Sequence, residues 1–452
     1  MERSEYVAAL DLGTSKMIAM AARKNEQGIL SIIDADKIES TNCIRRGCIY
    51  NIDETKSNVS RLIRRLNGKL ETHIGKTSIA KVYVGIGGQS LRTKDYSLKK
   101  DIDGYITQGF IDSLLEEARG YEPAVDIVLD VVSIEYYVDG TQTPLPRGTS
   151  GKSIEIKCQL IIGNPSLKNN LQQSVERSGV EVADFFISPL ATAEAVLNDT
   201  EKELGCVLVE FGAGITYVSV YKRKLLRYMV AIPLGGSVID KDICEQGILE
   251  DNAERLKINF GSALVDDDSE EKVSTGKIDD LNKEIKLQKL NAVIEARVDE
   301  IIANIIDQIN QSGYSSALGA GIVITGGGAA LKNLKDSLQS KSEKEVRVSP
   351  AKKTLVNQAA EIAGQLANST VIGLLALGKE NCEKKIEVPL VYKPEIFPEG
   401  EIETKDKEKN EREKREREKR EREKREREKR ERGEREERAG KRRTRFFWQA
   451  EG

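Results

Sequence analysis

The stretch that decides the fold is Tyr6–Ala21, YVAALDLGTSKMIAMA. Two apolar runs, Val7–Leu10 and Met17–Ala21, flank the polar segment Asp11–Ser15. This pattern predicts a buried strand, a tight turn and a second strand. Gly13 lets the backbone adopt conformations that a side chain would forbid, and the polar residues beside it offer hydrogen-bond donors. An ordinary β-hairpin with a polar tip and a phosphate-binding loop both fit the pattern.

A second copy of the pattern favours the phosphate-binding loop. Residues Cys206–Tyr221, CVLVEFGAGITYVSVY, again run through a strand, an acidic residue, a glycine turn and a strand. Glu210 stands where Asp11 stood, and the turn is Gly212-Ala213-Gly214. The same motif thus occurs twice in one chain.

A third glycine turn completes the set. Gly326-Gly327-Gly328 ends the apolar run that begins at Gly321 and leads into a predicted helix at Leu331–Gln339. Three such loops can surround a nucleotide, because bare backbone N–H groups bind phosphates and glycines let an adenosine approach closely. Together the three loops indicate a nucleotide-binding protein.

The order of these motifs resembles that of the actin-like ATPase superfamily, and within it the bacterial FtsA cell division family. The likeness covers most of residues 5–380, and its specific segments are VYVGIGGQSLRT at Val82–Thr93 and VIEARVDEI at Val293–Ile301. This resemblance implies an α/β, actin-like duplicated RNase H-type fold. Two lobes are then expected around a nucleotide cleft, with an inserted small subdomain and a charged C-terminal tail.

By this resemblance ATP and Mg²⁺ bind between the lobes. Asp11 would orient the hydrated Mg²⁺, since that ion is bound through one or two carboxylates together with phosphates. The segment Ala253–Gly261, AERLKINFG, matches the family segment whose acidic and basic residues contact ribose and adenine. An exposed helix face explains that segment as well. The expected nucleotide-binding residues are Asp11, Gly13, Thr14, Ser15, Lys16, Glu210, Gly212, Ala213, Gly214, Glu254, Lys257, Gly326, Gly327 and Gly328.

The resemblance also predicts slow turnover. Relatives usually carry an aspartate where this chain has Glu210, and a further aspartate near Tyr217. A misplacement of ~1 Å in a catalytic group can cost ~10²-fold in rate. We therefore expect ATP binding with at most slow hydrolysis. The alternative is a sugar or small-molecule kinase of the same superfamily, which would need an aspartate base that the sequence does not identify.

The resemblance divides the chain into parts. These are a first lobe at 1–87, 163–192 and 373–388; an inserted subdomain at 88–162; a second lobe at 193–240 and 311–372 with an insertion at 241–310; a charged linker at 389–440; and a membrane-targeting tip at 441–452. Two small-residue helices, Pro189–Leu197 and Thr370–Gly378, are expected to cross between the lobes as a hinge.

Bulk composition bounds the class of protein. The 452 residues exceed what one core usually serves, and 71 Lys and Arg against 74 Asp and Glu give a formal charge of −3. No basic field therefore attracts nucleic acid. The six cysteines form no CxxC pair, and Met1–Glu5 shows no signal-peptide pattern. With no run of ~20 apolar residues, these features predict a cytosolic protein.

The resemblance also names partners. FtsA proteins form filaments, and their second insertion receives the C-terminal peptide of the tubulin-like division protein FtsZ. The predicted long helix Asn291–Ile309 belongs to this insertion, and Arg297 is the residue expected to bind that peptide.

The C-terminal tail has a different composition from the rest of the chain. EREKR repeats run from Glu411 through Arg430 without an apolar seam, so a coiled coil is excluded. Glu411 precedes Arg415 by four residues, and each such pair contributes ~0.2–0.5 kcal/mol to a helix. A solitary charged helix acting as a semi-rigid spacer and plain disorder both fit.

The tail ends in a cluster of cations and aromatics. Such a cluster suits an anionic membrane surface. FtsA proteins end in a short amphipathic membrane helix, so the resemblance implies peripheral attachment to the cytoplasmic face of the inner membrane, at the division septum. A featureless tail is the alternative. The expected membrane-contacting residues are Lys441, Arg442, Arg443, Arg445, Phe446, Phe447 and Trp448.

Overall fold

The computed structural model describes residues 5–40, 43–265, 272–274, 284–357, 359–384, 411–429 and 433. The chain divides into two compact units, Met1–Ile386 and Glu387–Gly452. The strands are β1 (Val7–Leu12), β2 (Lys16–Lys24), β3 (Leu30–Glu39), β4 (Ile44–Arg45), β5 (Cys48–Ile49), β6 (Lys81–Ile86), β7 (Arg92–Asp101), β8 (Ile127–Val138), β9 (Thr141–Gln142), β10 (Ser153–Gly163), β11 (Glu181–Ile187), β12 (Cys206–Phe211), β13 (Thr216–Lys222), β14 (Leu225–Ile232), β15 (Lys272–Ser274), β16 (Glu284–Lys286), β17 (Ile322–Thr325) and β18 (Val346–Val348).

Helices connect and cover these strands. They are α1 (Ile52–Ile74), α2 (Gln108–Arg119), α3 (Ser166–Glu176), α4 (Ser188–Val196), α5 (Asp199–Leu204), α6 (Gly236–Cys244), α7 (Glu250–Phe260), α8 (Leu287–Gln311), α9 (Leu334–Ser342), α10 (Ala360–Ala363), α11 (Ser369–Leu377) and α12 (residues 411–429). In the part of the chain that the structure describes, no helix is long and apolar enough to cross a membrane.

Two sheets repeat one strand order, which confirms the predicted duplication. The first sheet runs β11-β6-β1-β2-β3, and the second begins β18-β17-β12-β13-β14. The third and fourth strands of each order form an antiparallel hairpin, β1–β2 in the first sheet and β12–β13 in the second, as the sequence predicted. The strands on the other side, β6 and β17, run parallel to the first strand of the hairpin. Both predicted loops therefore lie at the same place in equivalent sheets.

The strands β7, β10, β8 and β9 extend the second sheet and carry their own core. Strand β10 pairs antiparallel with β7 on one side and β8 on the other. Isoleucines of β10, together with residues of α2, form a separate apolar cluster. A single pair, Arg92 with Val230, joins these strands to β14. The sequence pattern predicts a helix over residues 108–118 and strands over 127–138 and 153–161, and the structure confirms their ends to within two residues.

Amphipathic helices bury the faces that their apolar spacing predicted. Helix α1 buries Val59, Leu62, Ile63 and Leu66 against the first sheet, and it continues four residues past the predicted end at Leu70. Helix α8 buries its isoleucine stripe against the second sheet, and it begins four residues before the predicted start at Asn291.

The helices α4 and α11 lie against each other at backbone distance. A Cβ atom placed on Gly373 would lie 1.8 Å from the carbonyl oxygen of Ala191, so only glycine fits there. This confirms the predicted close approach of the two small-residue segments.

The third glycine turn differs from the prediction in one respect. Gly327–Ala330 forms a 3₁₀ turn, and helix α9 begins only at Leu334. Leu331 is extended and Asn333 is left-handed, so the chain changes direction between the glycines and the helix. The predicted helix is present, but shifted three residues toward the C-terminus.

The second unit contains the charged helix α12. Its side chains are exposed throughout, and Glu411 and Arg415 form an ion pair of 3.7 Å, four residues apart. Residues 411–429 of the tail therefore form the charged helix, which was one of the two alternatives that the sequence left open. The rest of the linker at 389–440 and the proposed membrane tip at 441–452 lie outside the described residues.

Candidate functional site

The two hairpin turns share one backbone geometry. The Gly13 amide donates to the Lys16 carbonyl at 3.0 Å, and the Gly212 amide donates to the Ile215 carbonyl at 2.8 Å. A Cβ atom on either glycine would lie 2.8 Å and 2.7 Å, respectively, from those same carbonyl oxygens. Glycine is thus required at both positions for the same steric reason.

The two turns touch each other at Thr14 and Gly214. A Cβ on Gly214 would lie 2.6 Å from Thr14 Oγ1, so the threonine side chain packs against the glycine backbone. The same hydroxyl accepts a hydrogen bond from the Gly47 amide at 3.0 Å. The structure therefore brings the two sequence-predicted loops together.

Ser40 forms two hydrogen bonds to the backbone of the first turn. Its hydroxyl donates to the Gly13 carbonyl at 2.6 Å, and its amide donates to the Ser15 carbonyl at 2.9 Å. Sequence analysis missed this residue, because nothing local marks a serine at the end of β3 as a partner of a distant turn.

The start of helix α6 holds the second turn in the same way. The Gly236 amide donates to the Gly212 carbonyl at 3.0 Å, and the Ser237 amide and hydroxyl both donate to the Ala213 carbonyl at 2.8 Å. A glycine pair, Gly235-Gly236, three residues after the end of strand β14 was the signal that could have revealed this contact.

Two acidic side chains lie behind the turns, at matching positions of β1 and β12. Glu210 Oε1 accepts a hydrogen bond from Thr370 Oγ1 at 2.8 Å, and Thr370 shares a second hydrogen bond of 2.9 Å with Thr192. The other oxygen, Glu210 Oε2, is buried with no hydrogen-bond partner among the described residues. Asp11 is near enough for its charge to act on Glu210.

Burial makes both acidic groups weaker acids. It raises the pKa of Asp11 to about 6, an effect that the Lys16 ammonium partly opposes. It raises the pKa of Glu210 to about 7; the Thr370 hydrogen bond opposes this rise in pKa and the Asp11 charge adds to it. Two buried carboxyl groups with raised pKa values, one with an oxygen that has no partner among the described residues, suit a nearby cation.

The donor set fits a hydrated Mg²⁺ held partly by a ligand. Among the described residues, no group of three or more His, Cys, Asp or Glu side chains could hold a metal ion alone. Mg²⁺ usually keeps several waters and is bound through one or two carboxylates plus substrate phosphates. Asp11 and Glu210 would be those carboxylates.

The third glycine turn packs on the end of β12. A Cβ on Gly326, where φ is +86°, would lie 2.5 Å from the Phe211 carbonyl oxygen, and one on Gly328 would lie 3.1 Å from Phe211 Cβ. Gly327 between them is exposed. The third turn is thus placed next to the residue that follows Glu210.

The basic and acidic residues expected at the nucleotide differ in their exposure to solvent. Burial lowers the pKa of Lys16, helped by Lys37 and opposed by the charges of Glu254 and Asp11. Glu254 itself is exposed. Lys257 is engaged within the protein, because its ammonium contacts helix α6.

Arg297 lies on α8 and its charge is already paired. Its Nε and Nη2 atoms donate to the two carboxylate oxygens of Asp242 at 2.5 Å and 2.9 Å, and Nη1 contacts Glu300. The Asp242 hydrogen bonds raise the Arg297 pKa above its ordinary value. Its role in binding a peptide stays a prediction.

Tyr217 forms a contact that the sequence did not reveal. Its hydroxyl accepts a hydrogen bond of 2.6 Å from the Gly88 amide, in buried surroundings. This bond ties β13 to the glycine pair that ends β6, which the sequence indicated only as a turn. Tyr217 therefore has a structural role in this chain.

Comparisons with known proteins agree with one another. Residues 207–373 match the family model described as cell division protein FtsA. The chain is 35% identical over 331 residues to the cell division protein FtsA of Porphyromonas gingivalis, covering 72% of this chain and 68% of that protein. It is 31% identical over 335 residues to the cell division protein FtsA of Neisseria meningitidis, covering 72% and 79%. A chain of the PilM–PilN type IV pilus biogenesis complex shares the fold, with a TM-score of 0.59 at 12% identity, over 83% of this chain and 100% of that one.

Proposed function

The chain belongs to the cell division protein FtsA family and has an actin-like α/β fold, and from this premise we propose that it binds Mg·ATP and forms filaments. These filaments would tether the FtsZ ring to the cytoplasmic face of the cell membrane at the division septum. The relatives are cell division proteins, which favours this function over a sugar or small-molecule kinase.

The contact of the two glycine turns at Thr14 and Gly214 is the observation that carries the nucleotide proposal. The backbone amides of both turns would hold the phosphates, and Gly326-Gly327-Gly328 would lie against the adenosine. Asp11 and Glu210 would hold the hydrated Mg²⁺, which neutralises phosphate charge when bound. The hydrogen bonds of Ser40 and Ser237 to the two turns support these proposed roles, because they hold the turns in defined positions.

The proposed partners follow the expected division of the chain. We propose the lobe and insertion boundaries given by the resemblance, with Arg297 facing the C-terminal peptide of FtsZ in the insertion at 241–310. The tip at 441–452 would contact anionic lipid, other copies of the chain would form the filament, and nucleic acid is not expected as a partner. Because Arg297 is paired with Asp242, peptide binding would have to share or replace that ion pair.

Replacing Asp11 by alanine tests the nucleotide proposal. Asp11→Ala should weaken Mg·ATP binding at least about tenfold, equal to about 1.4 kcal/mol, because a metal ligand is lost. Isothermal calorimetry measures the affinity, and circular dichroism checks the fold. Asp103→Ala, at an exposed aspartate in the bend that follows β7, is the matched control. Unchanged affinity in Asp11→Ala would sink the assignment.

Hydrolysis of ATP should be slow, because of the side chains at positions 210 and 217. One carboxylate oxygen of Glu210 accepts a hydrogen bond from Thr370. Tyr217, near the position where relatives are expected to carry an aspartate, accepts a hydrogen bond from the Gly88 amide. Neither group is then well placed to orient an attacking water. A steady-state assay should give a rate below about 1 s⁻¹, the lower end for kinases. A faster rate would contradict the adaptor role and favour an enzyme.

A further inference from the structure

Tyr217 joins the second sheet to the end of a strand of the first sheet. It is the second residue of β13, its side chain is buried, and its hydroxyl accepts the 2.6 Å hydrogen bond from the Gly88 amide. Gly88 lies two residues after the end of β6, a strand of the first sheet. A Cβ atom on Gly87 would lie 2.8 Å from the same hydroxyl oxygen, so the glycine leaves room for the tyrosine.

The duplicated motif shows that the hairpin itself does not need this hydroxyl. Tyr217 lies directly opposite Glu210 in the second hairpin, and the equivalent residue of the first hairpin, opposite Asp11, is Ile18. The Ile18 side chain is buried and wholly apolar. A hydrocarbon therefore satisfies this position of the fold, and the tyrosine hydroxyl serves the contact between the two sheets.

A second hydrogen bond joins the same two segments. The turn Gly88–Leu91 is closed by the Leu91 amide, which donates to the Gly88 carbonyl at 3.1 Å. The Leu91 carbonyl in turn accepts a hydrogen bond of 3.1 Å from the Ala231 amide. Ala231 is the residue of β14 that lies opposite Tyr217. Two neighbouring residues of the second sheet thus bind this turn, one as acceptor and one as donor.

Gly47 connects this turn to both proposed phosphate loops. A Cβ atom on Gly47 would lie 3.0 Å from Gly88 Cα and 2.9 Å from Cδ1 of Ile215, the residue that closes the second glycine turn. The Gly47 amide donates to Thr14 Oγ1 of the first glycine turn at 3.0 Å. Gly47 is therefore packed between the two turns and Gly88, and the separation of the turns depends on where Gly88 lies.

We propose that Tyr217 is a positioning residue for the nucleotide, because its bond to Gly88 sets the separation of the two phosphate-binding turns before the ligand binds. The proposal rests on the nucleotide function proposed above. With the turns already at binding distance, less of the binding energy of the ligand is lost in drawing the two sheets together. This role acts on affinity and is separate from the effect of position 217 on hydrolysis.

Tyr217→Phe tests the proposal, because it removes only the hydroxyl. Apparent affinity scales with the fraction of molecules that are competent to bind, and one hydrogen bond is lost, so the Kd for Mg·ATP should rise about fivefold in calorimetry. Tyr228→Phe is the matched control, since its hydroxyl also forms a 2.6 Å hydrogen bond, but to Gln308 of α8, which covers the second sheet. The control should bind within about twofold of the wild type. An unchanged Kd in Tyr217→Phe, or an equal rise in both variants, would overturn the proposal.

Hydrogen exchange at the Ala231 amide gives a measurement that a purely structural role would not change. Exchange there should be faster in nucleotide-free Tyr217→Phe than in the wild type, because the contact between the sheets opens more often. Saturating Mg·ATP should restore the wild-type rate, since the ligand then holds the two turns together. An Ala231 rate that is unchanged in the free variant, or that stays fast with Mg·ATP, would overturn the proposal. Faster exchange throughout β12 as well would mean general destabilisation and would also overturn it.

The two proposals fail in different ways. A wild type that does not bind Mg·ATP would overturn the nucleotide function and this inference with it. A wild type that binds Mg·ATP only as tightly as Tyr217→Phe does would overturn the positioning role alone.

Discussion

Glu210 and Asp11 carry buried carboxyl groups, and neither forms an ion pair with another of the described residues, although the charge of Lys16 acts on Asp11. Burial raises the pKa of Glu210 from 4.5 to about 7 and that of Asp11 from 3.8 to about 6. Between those values the native protein keeps a proton that the unfolded chain has lost. Linkage then makes the free energy of unfolding fall as the pH rises, until the native groups have ionised. The two buried carboxyl groups therefore lower the free energy of unfolding near neutral pH, and a bound cation would offset that loss.

Glu210→Gln should reveal this cost as a pH-dependent gain in stability. The amide cannot ionise, so the variant should be more stable than the wild type by up to about 3 kcal/mol above pH 7 and equally stable below pH 4.5. Urea unfolding at pH 8 and pH 4, in EDTA and without nucleotide, measures the difference. Glu203→Gln, at an exposed glutamate of α5, is the control. An equal gain at both pH values would argue against ionisation as the cause.

At the scale of elements, the crossing of α4 and α11 connects the site to the body of the protein. Thr370 at the start of α11 bonds Glu210, and Thr192 on α4 bonds Thr370. Gly373, one turn further along α11, allows the backbones to touch at Ala191. A change at Glu210 on binding Mg·ATP would therefore reach both helices through two hydrogen bonds.

Adding one methyl group at this crossing should be costly. Gly373→Ala places a Cβ 1.8 Å from a backbone oxygen, so the helices must separate. Overpacking of a core costs typically 1–3 kcal/mol, and we expect about 3 kcal/mol here. Gly68→Ala in α1 is the control, because a Cβ there meets nothing within 4 Å. That control should be neutral or gain up to about 1 kcal/mol from helix propensity. Denaturant unfolding of both variants measures this, and a neutral Gly373→Ala would contradict the close approach.

At the scale of the whole molecule, the proposed tether depends on many weak contacts. Helix α12, residues 411–429, is roughly 28 Å long at 1.5 Å per residue, and its charged surface suits a spacer in water. Each of the four cations of the tip would add ~1 kcal/mol near anionic lipid, and its three aromatic side chains would be only partly buried at the interface. The conformational entropy lost when the tip is held at the membrane offsets much of that gain. A filament presents many tips, and avidity can raise affinity by ~10²–10⁴.

Deleting residues 441–452 should abolish vesicle binding and preserve ATP binding. The reason is that the cationic and aromatic side chains are removed while the first unit, Met1–Ile386, is untouched. Co-sedimentation with anionic vesicles, with and without the FtsZ-like partner, is the measurement, and neutral vesicles are the control. If the truncated protein still pelleted with anionic vesicles, the tether would have to lie elsewhere.

Much of this protein was determined by the sequence alone. The two hairpins, the duplicated motif, the apolar stripes of α1 and α8 and the close-packing helices were all predictable, because turn chemistry and hydrophobic periodicity are local properties of the chain. The glycines at 13, 212 and 326 were found for the same reason, since each occupies a turn that follows an apolar strand.

Only the tertiary structure decided which side chains meet. Glu210 and Thr370 are 160 residues apart, and no local pattern distinguishes Thr370 from any other small residue of an apolar helix. Lys257 is a second case, because the resemblance implied a nucleotide contact there, and only the packing of α7 on α6 shows that its ammonium also contacts Asp240. Pairing of polar groups depends on sheet order and helix packing, which bring distant segments together after the local structure is set. The sequence therefore determined the loops, and the tertiary fold determined what holds them.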